Sequence, residues 1–332
     1  MKNNKKLIII LLLLTLTLTG CTKNLKGADG KTVENKETGQ VLPSNIVCAP
    51  TDEDNLKIYR DTKKDLEEKY AKDLEKGDIS KKEYNKKIDS LVDVDKMVKC
   101  KDFNITSGGY EGLWTNIFIK PLSWVIIKIG VIINNYGFAI IITTLLIRLI
   151  MYPLTLKTAK QSENMKKAQP ELSKLEKKYA NKNDQENMMK KSSEMMAIYK
   201  KYDINPMSGC LFSLIQIPLF FAFYESLSRI PALFEGDLIF KLGMSPIKGI
   251  GTGNWFYLIL PVLVALTTFF SFKLNSGASM SKEQESQMKM MTYMMMIMIV
   301  FMSFSMSTSI IYYWITNSTF TIVQNLIVKR SK

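Results

Sequence analysis

The feature that most constrains this chain is an apolar run over residues 138–156 that contains a single charge, Arg148. At a rise of about 1.5 Å per residue, such a run can cross a hydrocarbon core of about 30 Å, so it predicts a transmembrane helix. An arginine at that depth costs roughly 2.5–3.5 kcal/mol and is by default a functional residue. The alternative is that Arg148 snorkels to the basic flank at Lys157, roughly 12 Å away by helical rise.

The distribution of charge favours a membrane protein. The chain has a net charge of +14, yet residues 22–112 hold 18 basic and 19 acidic side chains, while residues 157–203 hold 12 lysines and 7 acids. The positive excess therefore lies in short segments beside apolar runs, as the positive-inside rule expects. A basic stripe on a soluble domain, which would indicate nucleic-acid binding, does not occur in the sequence.

The residue composition also argues against side-chain catalysis. The chain has no histidine, and its four cysteines are widely scattered. Histidine is the commonest general base, and zinc sites need clustered histidine or cysteine ligands. We therefore expect no catalytic residues, no metal site and no cofactor.

The N-terminal residues 1–21 have the pattern of an export signal. Lysines precede an apolar stretch that ends in Leu18-Thr19-Gly20-Cys21. Small residues before a cysteine at this place resemble a bacterial lipobox, in which the cysteine receives diacylglycerol and becomes the new N-terminus of a lipoprotein. The alternative is an uncleaved signal anchor. If Cys21 is lipidated, and the mature protein carries palmitate or a similar acyl chain there, the chain from residue 22 onward is extracellular.

Residues 22–112 are predicted to form an extracellular tether and a charged helical hairpin. The polar stretch 22–44 has few apolar residues and predicts a flexible tether. Residues 52–98 predict two helices, broken near Gly77, with a capping box at Ser80. Cys48 and Cys100 flank the open end of this hairpin. A disulfide between them would close a loop of about 50 residues and contribute about 4 kcal/mol, and two unpaired cysteines are the alternative.

Two further segments are assigned from charge and parity. Residues 113–137 carry Lys120 and Lys128 within an apolar stretch, which fits either a span or an interfacial amphipathic helix. An external Cys21 and an internal basic segment 157–203 must be separated by an odd number of membrane crossings. The Arg148 helix supplies one crossing, so residues 113–137 are predicted to lie on the outer surface. Residues 157–203 predict a cytoplasmic helical hairpin whose two arms carry paired apolar stripes, several of them methionines, and Pro170 is expected to kink or restart the first arm.

The remaining apolar runs complete a five-span prediction. Residues 207–227 and 255–274 are each long enough for one span, and residues 288–328 are long enough for two short ones if the serines at 303–309 form a turn. The core 138–328 then ends inside, with the basic tail 329–332 in the cytoplasm. The predicted fold is an all-α polytopic membrane protein with five transmembrane helices around a polar groove, a cytoplasmic hairpin and an extracellular hairpin.

Polar side chains from several spans are predicted to meet at one depth. By helical rise, Arg148 and Gln216 both lie roughly 12–14 Å above the inner boundary. Asn317 and Thr321 bracket that depth on the last span, where Gln324 shares their face, and threonine hydroxyls lie one turn outward of the arginine, that of Thr144 among them. This convergence predicts a hydrated cavity in the inner half of the bilayer. The alternative is that each amide bonds a neighbouring helix, worth about 0.6 kcal/mol.

Several motifs in residues 110–330 resemble those of the Oxa/YidC family of membrane-protein insertases, specifically its bacterial lipoprotein-type members. These motifs are Tyr136-Gly137, Ile147-Arg148-Leu149-Ile150, Pro153-Leu154-Thr155-Leu156-Lys157, Gln169-Pro170-Glu171, Asn205-Pro206, Gln216-Ile217-Pro218 and Tyr313-Trp314-Ile315-Thr316-Asn317. The family usually turns between its last two spans with proline and glycine, where this chain has serines.

The resemblance implies a function without nucleotide hydrolysis. Arg148 would be the groove arginine that receives the acidic segment of a nascent membrane protein, Trp314 would belong to the same groove, and the hairpin 157–203 would recruit substrates. The implied partners are nascent membrane proteins, the ribosome, the Sec translocon and the lipid bilayer. Two other hypotheses are a small polar-solute or ion channel, and a surface lipoprotein that acts through residues 52–98. The channel lacks a second deep ionisable residue, and the lipoprotein alone leaves five spans unexplained.

Overall fold

The computed structural model of the protein describes residues 22–180, 184–205, 208–275 and 282–330, with the backbone alone for 208–215, 275 and 282–289. These residues form α-helices, and their β-pairing is limited to isolated bridges, so the all-helical prediction is confirmed. They divide into two compact units. The first contains the described parts of Met1–Thr143, Pro218–Leu258 and Ser305–Tyr313, and the second those of Thr144–Ile217, Ile259–Phe304 and Trp314–Lys332.

The described helices follow one another along the chain through connections of very different lengths. They are α1 Glu53–Glu75, α2 Lys81–Asp89, α3 Thr115–Ile133, α4 Tyr136–Ile150, α5 Tyr152–Tyr179, α6 Gln185–Lys201, α7 Ser208–Arg229, α8 Pro231–Glu235, α9 Pro246–Gly251, α10 Ile259–Asn275, α11 Lys282–Ser303 and α12 Thr308–Arg330.

The N-terminal module, residues 22–112, contains the predicted helical pair but no flexible tether. Ser80 caps α2 by accepting a hydrogen bond from the amide of Glu83, as the capping box predicts. The stretch 22–44, however, folds back on itself through isolated β-bridges. Its Leu25 and Leu42 are buried against Tyr59 of α1. The tether prediction is therefore wrong, because two leucines in a polar stretch suffice to anchor it to the module's core.

A disulfide closes the base of this module, and it joins the cysteines paired in the sequence prediction. Cys48 and Cys100 are bonded with their Cα atoms 4.9 Å apart. Both residues are buried, and the amide of Ala49 donates to the carbonyl of Val98 beside the bond. The disulfide therefore links the segment before α1 to the segment that leads into α3. Cys21 lies outside the described residues.

The apolar run around Arg148 is broken. α4 ends at Ile150, α5 begins at Tyr152, and the two helices are bent by 70°. Pro153 lies in the first turn of α5, where its lack of an amide hydrogen and the bulk of its ring prevent a straight helix from continuing. The prediction of one continuous helix over 138–156 is therefore wrong, and Arg148 lies in the last turn of α4. Its depth cannot be counted along a helix axis that bends.

The charged segment 157–203 forms a helical hairpin from most of α5 together with α6. Ala168 and Leu172 pack against Tyr199 in a small core. Pro170 lies inside α5, which continues on both sides of it, so the expected restart of the first arm is wrong. The core residues on either side of the proline hold the helix together at this point.

Three methionines predicted for the seam of the hairpin lie elsewhere. Met195 is part of the hairpin core, but Met188, Met189 and Met196 are exposed. The predicted turn falls partly outside the described residues, and Asp184 caps the start of α6.

The last apolar block turns where the serines predict. α11 ends at Ser303 and α12 begins at Thr308. Among the described residues, the helices Thr115–Ile133 and Trp255–Leu274 are long and apolar enough to cross a membrane, and the bent pair α4–α5 could add a third span. The five crossings stay a prediction.

Candidate functional site

Arg148 is held by two other helices of the second unit. Its Nε donates to Oδ1 of Asn317 on α12 at 2.6 Å, and its Nη2 donates to Oε1 of Gln216 on α7 at 3.1 Å. The arginine is only 3% exposed. A buried guanidinium bonded to two neighbouring helices does not snorkel to the basic flank. We call Arg148, Gln216 and Asn317 the arginine cluster.

The hydrogen bonds of the arginine cluster offset the free-energy cost of placing an arginine within a membrane helix. Hydrogen bonds to a charged group contribute about 1.5–3 kcal/mol each. Two of them can offset the roughly 2.5–3.5 kcal/mol that an arginine costs within a membrane helix. Because both acceptors are neutral amides, neither removes the formal charge of Arg148. The cluster therefore stabilises the arginine through neutral partners.

The other predicted site residues form separate contacts. Gln324 is buried and donates from Nε2 to the hydroxyl of Thr155 at 2.8 Å. The indole of Trp314 donates to Thr268 Oγ1 at 2.9 Å. The hydroxyl of Thr321 donates to the carbonyl of Asn317 within its own helix. The structure thus brings three of the predicted residues together, places Gln324 and Trp314 in separate helix–helix contacts, and leaves Thr321 bonded within α12.

The sequence reasoning missed two residues of these contacts, Thr155 and Thr268. Thr155 follows Pro153 by two positions, and its hydroxyl also donates to the carbonyls of Met151 and Tyr152 at the start of α5. Thr144, one turn before Arg148, is buried. Arg148 is buried as well, whereas its partners Gln216 and Asn317 are half-buried.

Comparison with known proteins decides the family. The family model described as 60Kd inner membrane protein matches residues 128–332. The chain belongs to this family.

Its relatives carry insertase names. The protein named membrane protein insertase YidC of Oceanobacillus iheyensis is 35% identical over 226 residues, which cover 66% of this chain and 85% of that protein. Membrane protein insertase MisCA of Bacillus subtilis is 34% identical over 218 residues, which cover 65% and 79%. A crystal structure of an active YidC insertase aligns with a TM-score of 0.46 at 21% identity, covering 81% of this chain and 53% of that one. The Oxa/YidC resemblance drawn from the sequence motifs is confirmed.

The family match covers only part of the chain. The matched residues 128–332 include α4 to α12 and hence the whole arginine cluster. The N-terminal module, residues 22–112, lies outside the match.

The module is attached through a buried charged network that the sequence reasoning missed. Arg229, the last residue of α7, is 1% exposed. Its guanidinium pairs with Glu111 at 2.5 Å and with Glu225 at 3.4 Å, and its Nε donates to the carbonyl of Asn45. The carboxylate of Glu225 also accepts from the indole of Trp114 at 3.0 Å. Glu225 and Arg229 are an i, i+4 pair on α7, but their partners come from two distant segments, so the sequence does not mark the network as a whole.

Lys120 completes the network at the start of α3. Its ammonium lies 3.2 Å from Glu111 and donates to the carbonyl oxygens of Ser107 and Gly109. With Lys120 only 1% exposed, it does not belong to a water-facing stripe, so this evidence for an amphipathic α3 is wrong. Two cations and two carboxylates give the network zero formal charge. We call Glu111, Lys120, Glu225 and Arg229 the attachment network.

Ion pairs connect the two arms of the hairpin near its ends. Lys201 and the hydroxyl of Tyr202 both bond Glu171, at 2.6 and 2.8 Å. Lys178 and the hydroxyl of Tyr179 bond Glu194 in the same way. The lysine hydrogen bond is the main reason that the pKa of each glutamate lies below its usual value. Both carboxylates therefore stay ionised at any pH near neutrality, and both pairs persist there.

Proposed function

We propose that this chain is a membrane protein insertase that moves nascent membrane proteins into the bilayer through a groove lined by the arginine cluster. The observation that carries the proposal is the buried Arg148, whose partners Gln216 and Asn317 are neutral. Its relatives named as membrane protein insertases support the same activity. The transport alternative has no support among these relatives.

In this proposal Arg148 attracts the acidic polar segment that precedes a substrate's first apolar segment. A carboxylate at about 4 Å gains about 4 kcal/mol at an effective dielectric near 20, before desolvation. That gain is large enough to displace one of the two amide hydrogen bonds, at about 1.5–3 kcal/mol each. Gln216 and Asn317 would thus hold the arginine until the substrate replaces them, while the apolar segment partitions into lipid.

Thr144, Trp314, Thr321 and Gln324 are proposed to line the path beside the arginine cluster. Gln324 and Trp314 bond threonines on other helices, so opening a groove would exchange these contacts for contacts with substrate. Nucleotide hydrolysis has no part in the proposal. The hydrophobic transfer of the substrate into lipid supplies the driving free energy.

The membrane arrangement is part of the proposal. Cys21 carries a lipid on the outer side, five spans cross the plasma membrane, and the hairpin 157–203 and the tail 329–332 lie in the cytoplasm. α3 is long enough to span, but the parity argument keeps it at the outer surface. The fixing of Lys120 to the N-terminal module by Ser107 and Gly109 is consistent with that position. The ribosome and the Sec translocon are the proposed partners on the cytoplasmic and lateral sides.

Reconstitution of the purified chain tests this proposal. Vesicles that contain the protein should insert a short two-span membrane protein released by a ribosome, as judged by protease protection. Protein-free vesicles and vesicles with an unrelated polytopic protein are the controls. Insertion no better than in these controls would contradict the proposal.

A further inference from the structure

The loop between α7 and α10 has two chemically different sides. It contains α8, a tight turn, α9 and the 3-10 turn Trp255–Leu258. The sequence reasoning assigned no role to this loop. We call its part over residues 236–258 the apolar loop.

One buried tyrosine holds the apolar loop together. Tyr257 is 3% exposed, and its hydroxyl accepts a hydrogen bond from the amide of Lys241 at 3.0 Å. Its ring lies 4.8 Å from that of Phe240. A Cβ on Gly249 would meet the same ring at 2.3 Å, so α9 packs directly against it. The turn, α9 and the start of the Trp255–Leu274 helix therefore form one small structure around Tyr257.

The lysines of the apolar loop face the N-terminal module. Lys241 pairs with Glu37, and the aliphatic part of Lys248 lies over Gly39, where a Cβ would meet it at 3.2 Å. The polar side of the loop is thus covered by residues of this chain.

Large apolar side chains on the same loop are exposed. Ile239, at the tip of the turn between Asp237 and Lys241, is 79% exposed. Trp255 is 70% exposed and Phe256 80%, and Ile247 of α9 is also exposed. Four such residues around one buried tyrosine are more than the scattered apolar side chains normal on a soluble surface.

We infer that the apolar loop inserts Ile239, Ile247, Trp255 and Phe256 into the outer leaflet of the membrane, at the boundary between headgroups and acyl chains. The helix that follows indicates that lipid covers these side chains. Trp255 is the first residue of the Trp255–Leu274 helix, which is long and apolar enough to span a membrane. Tryptophan is enriched at this depth of the bilayer. The loop then supports the N-terminal module on its lysine side and rests on lipid with its apolar side. The inference does not depend on the role of Arg148.

Tryptophan quenching in vesicles tests the inference on the full chain. The protein is reconstituted in phosphatidylcholine and phosphatidylglycerol vesicles whose acyl chains carry bromine either near the headgroup or near the bilayer centre. The signal of Trp255 is the difference between the wild type and Trp255→Phe. We expect bromine near the headgroup to quench it several-fold more than bromine at the centre, and aqueous iodide to quench it little.

Two further variants separate the loop from the helix that follows it. In the Trp255→Phe background, Ile239→Trp should add a signal that is quenched like that of Trp255, because both side chains belong to the apolar loop. Lys82→Trp, at an exposed position of α2, is the control and should be quenched by iodide alone. Iodide quenching of the Ile239→Trp signal would place the loop in water and overturn the inference. A signal shielded from both quenchers would indicate a second protein copy on this face and would overturn it as well.

Discussion

Arg148 donates through Nε to Oδ1 of Asn317 across 2.6 Å, and this bond joins the end of α4 to the middle of α12. The acceptor is a neutral amide at a position where a carboxylate of almost the same shape would fit. An aspartate there would form an ion pair with the arginine and cancel its charge. The asparagine therefore orders the buried Arg148 without adding a negative charge of its own, as the proposed recruitment of acidic segments requires.

The substitution Asn317→Asp should selectively impair substrates with acidic N-terminal segments. The new carboxylate would compete with the substrate for Arg148, and a charge pair at about 4 Å gains about 4 kcal/mol at an effective dielectric near 20. We expect at least a tenfold loss of insertion for acidic substrates and little loss for neutral ones, measured by protease protection in vesicles.

The control for this substitution is Asn325→Asp, the same chemical change two turns further along α12. Asn325 bonds the carbonyl of Thr321 and not the arginine. It should leave the ratio between acidic and neutral substrates unchanged. Equal effects of the two variants on that ratio would show that neutralisation of Arg148 is not the cause.

The sequence predicted this meeting of polar groups because helical rise and periodicity place residues along a span. Arg148, Gln216 and Asn317 were matched by depth alone, and the structure joins them. The bend at Met151 was missed, although Pro153 was visible, because a long apolar run outweighed one proline. Thr155 and Thr268 were missed because single threonines in apolar helices give no periodic signal.

In the N-terminal module, local features could be predicted from the sequence but long-range contacts could not. Its disulfide could be predicted from two cysteines at the base of a hairpin, and the capped start of α2 from Ser80 and Glu83. The attachment network could not be predicted, because Glu111 and Arg229 are 118 positions apart. Only tertiary structure brings such residues together. The stretch 22–44 was misread for a related reason, since its Leu25 and Leu42 find their partners on α1.

The substitution Arg229→Met should loosen the N-terminal module from the family core. Removing Arg229 leaves the buried carboxylate of Glu225 without its cation, and breaking a buried ion pair in this way costs about 3–5 kcal/mol. We expect faster proteolytic release of residues 22–112 and a lower midpoint of urea unfolding. Combining it with Glu225→Gln should recover part of the loss, because one unpaired carboxylate is then removed.

Arg60→Met is the matched control for this prediction. Arg60 also pairs with a carboxylate, that of Asp95, but both side chains are about half exposed. Exposed pairs contribute little to stability, so this variant should behave like the wild type. If Arg229→Met and Arg60→Met were equally sensitive to protease, the attachment network would not be what holds the module.

Removal of the disulfide should destabilise the module but not the arginine cluster. In the loop-entropy model, Cys48→Ser with Cys100→Ser lowers the free energy of unfolding of the module by about 4 kcal/mol. Insertion should be largely retained, because the arginine cluster lies in the other compact unit. Urea unfolding and vesicle insertion of the double variant check the two halves of this prediction. Free thiols at both positions, found by non-reducing mass mapping after thiol blocking, would contradict the oxidised pairing.

Cys21 is predicted to carry the lipid of a bacterial lipoprotein. The mature protein should begin at this residue, show the mass of an added diacylglycerol and incorporate labelled fatty acid in cells. Cys21→Ala should abolish both the labelling and the cleavage. An unchanged mass and label in that variant would contradict the prediction and favour an uncleaved signal anchor.

The central claim is that the positive charge of Arg148 recruits acidic segments, and matched substrates test it most directly. The measurement compares insertion of one short membrane protein, with acidic or neutralised N-terminal residues, by Arg148→Ala and Arg148→Lys vesicles. We predict that Arg148→Lys retains much of the insertion of the acidic substrate. Arg148→Ala should lose most of it and insert the neutral substrate almost normally. Equal loss of both substrates in Arg148→Ala would contradict the claim, because the arginine would then matter for packing and not for its charge.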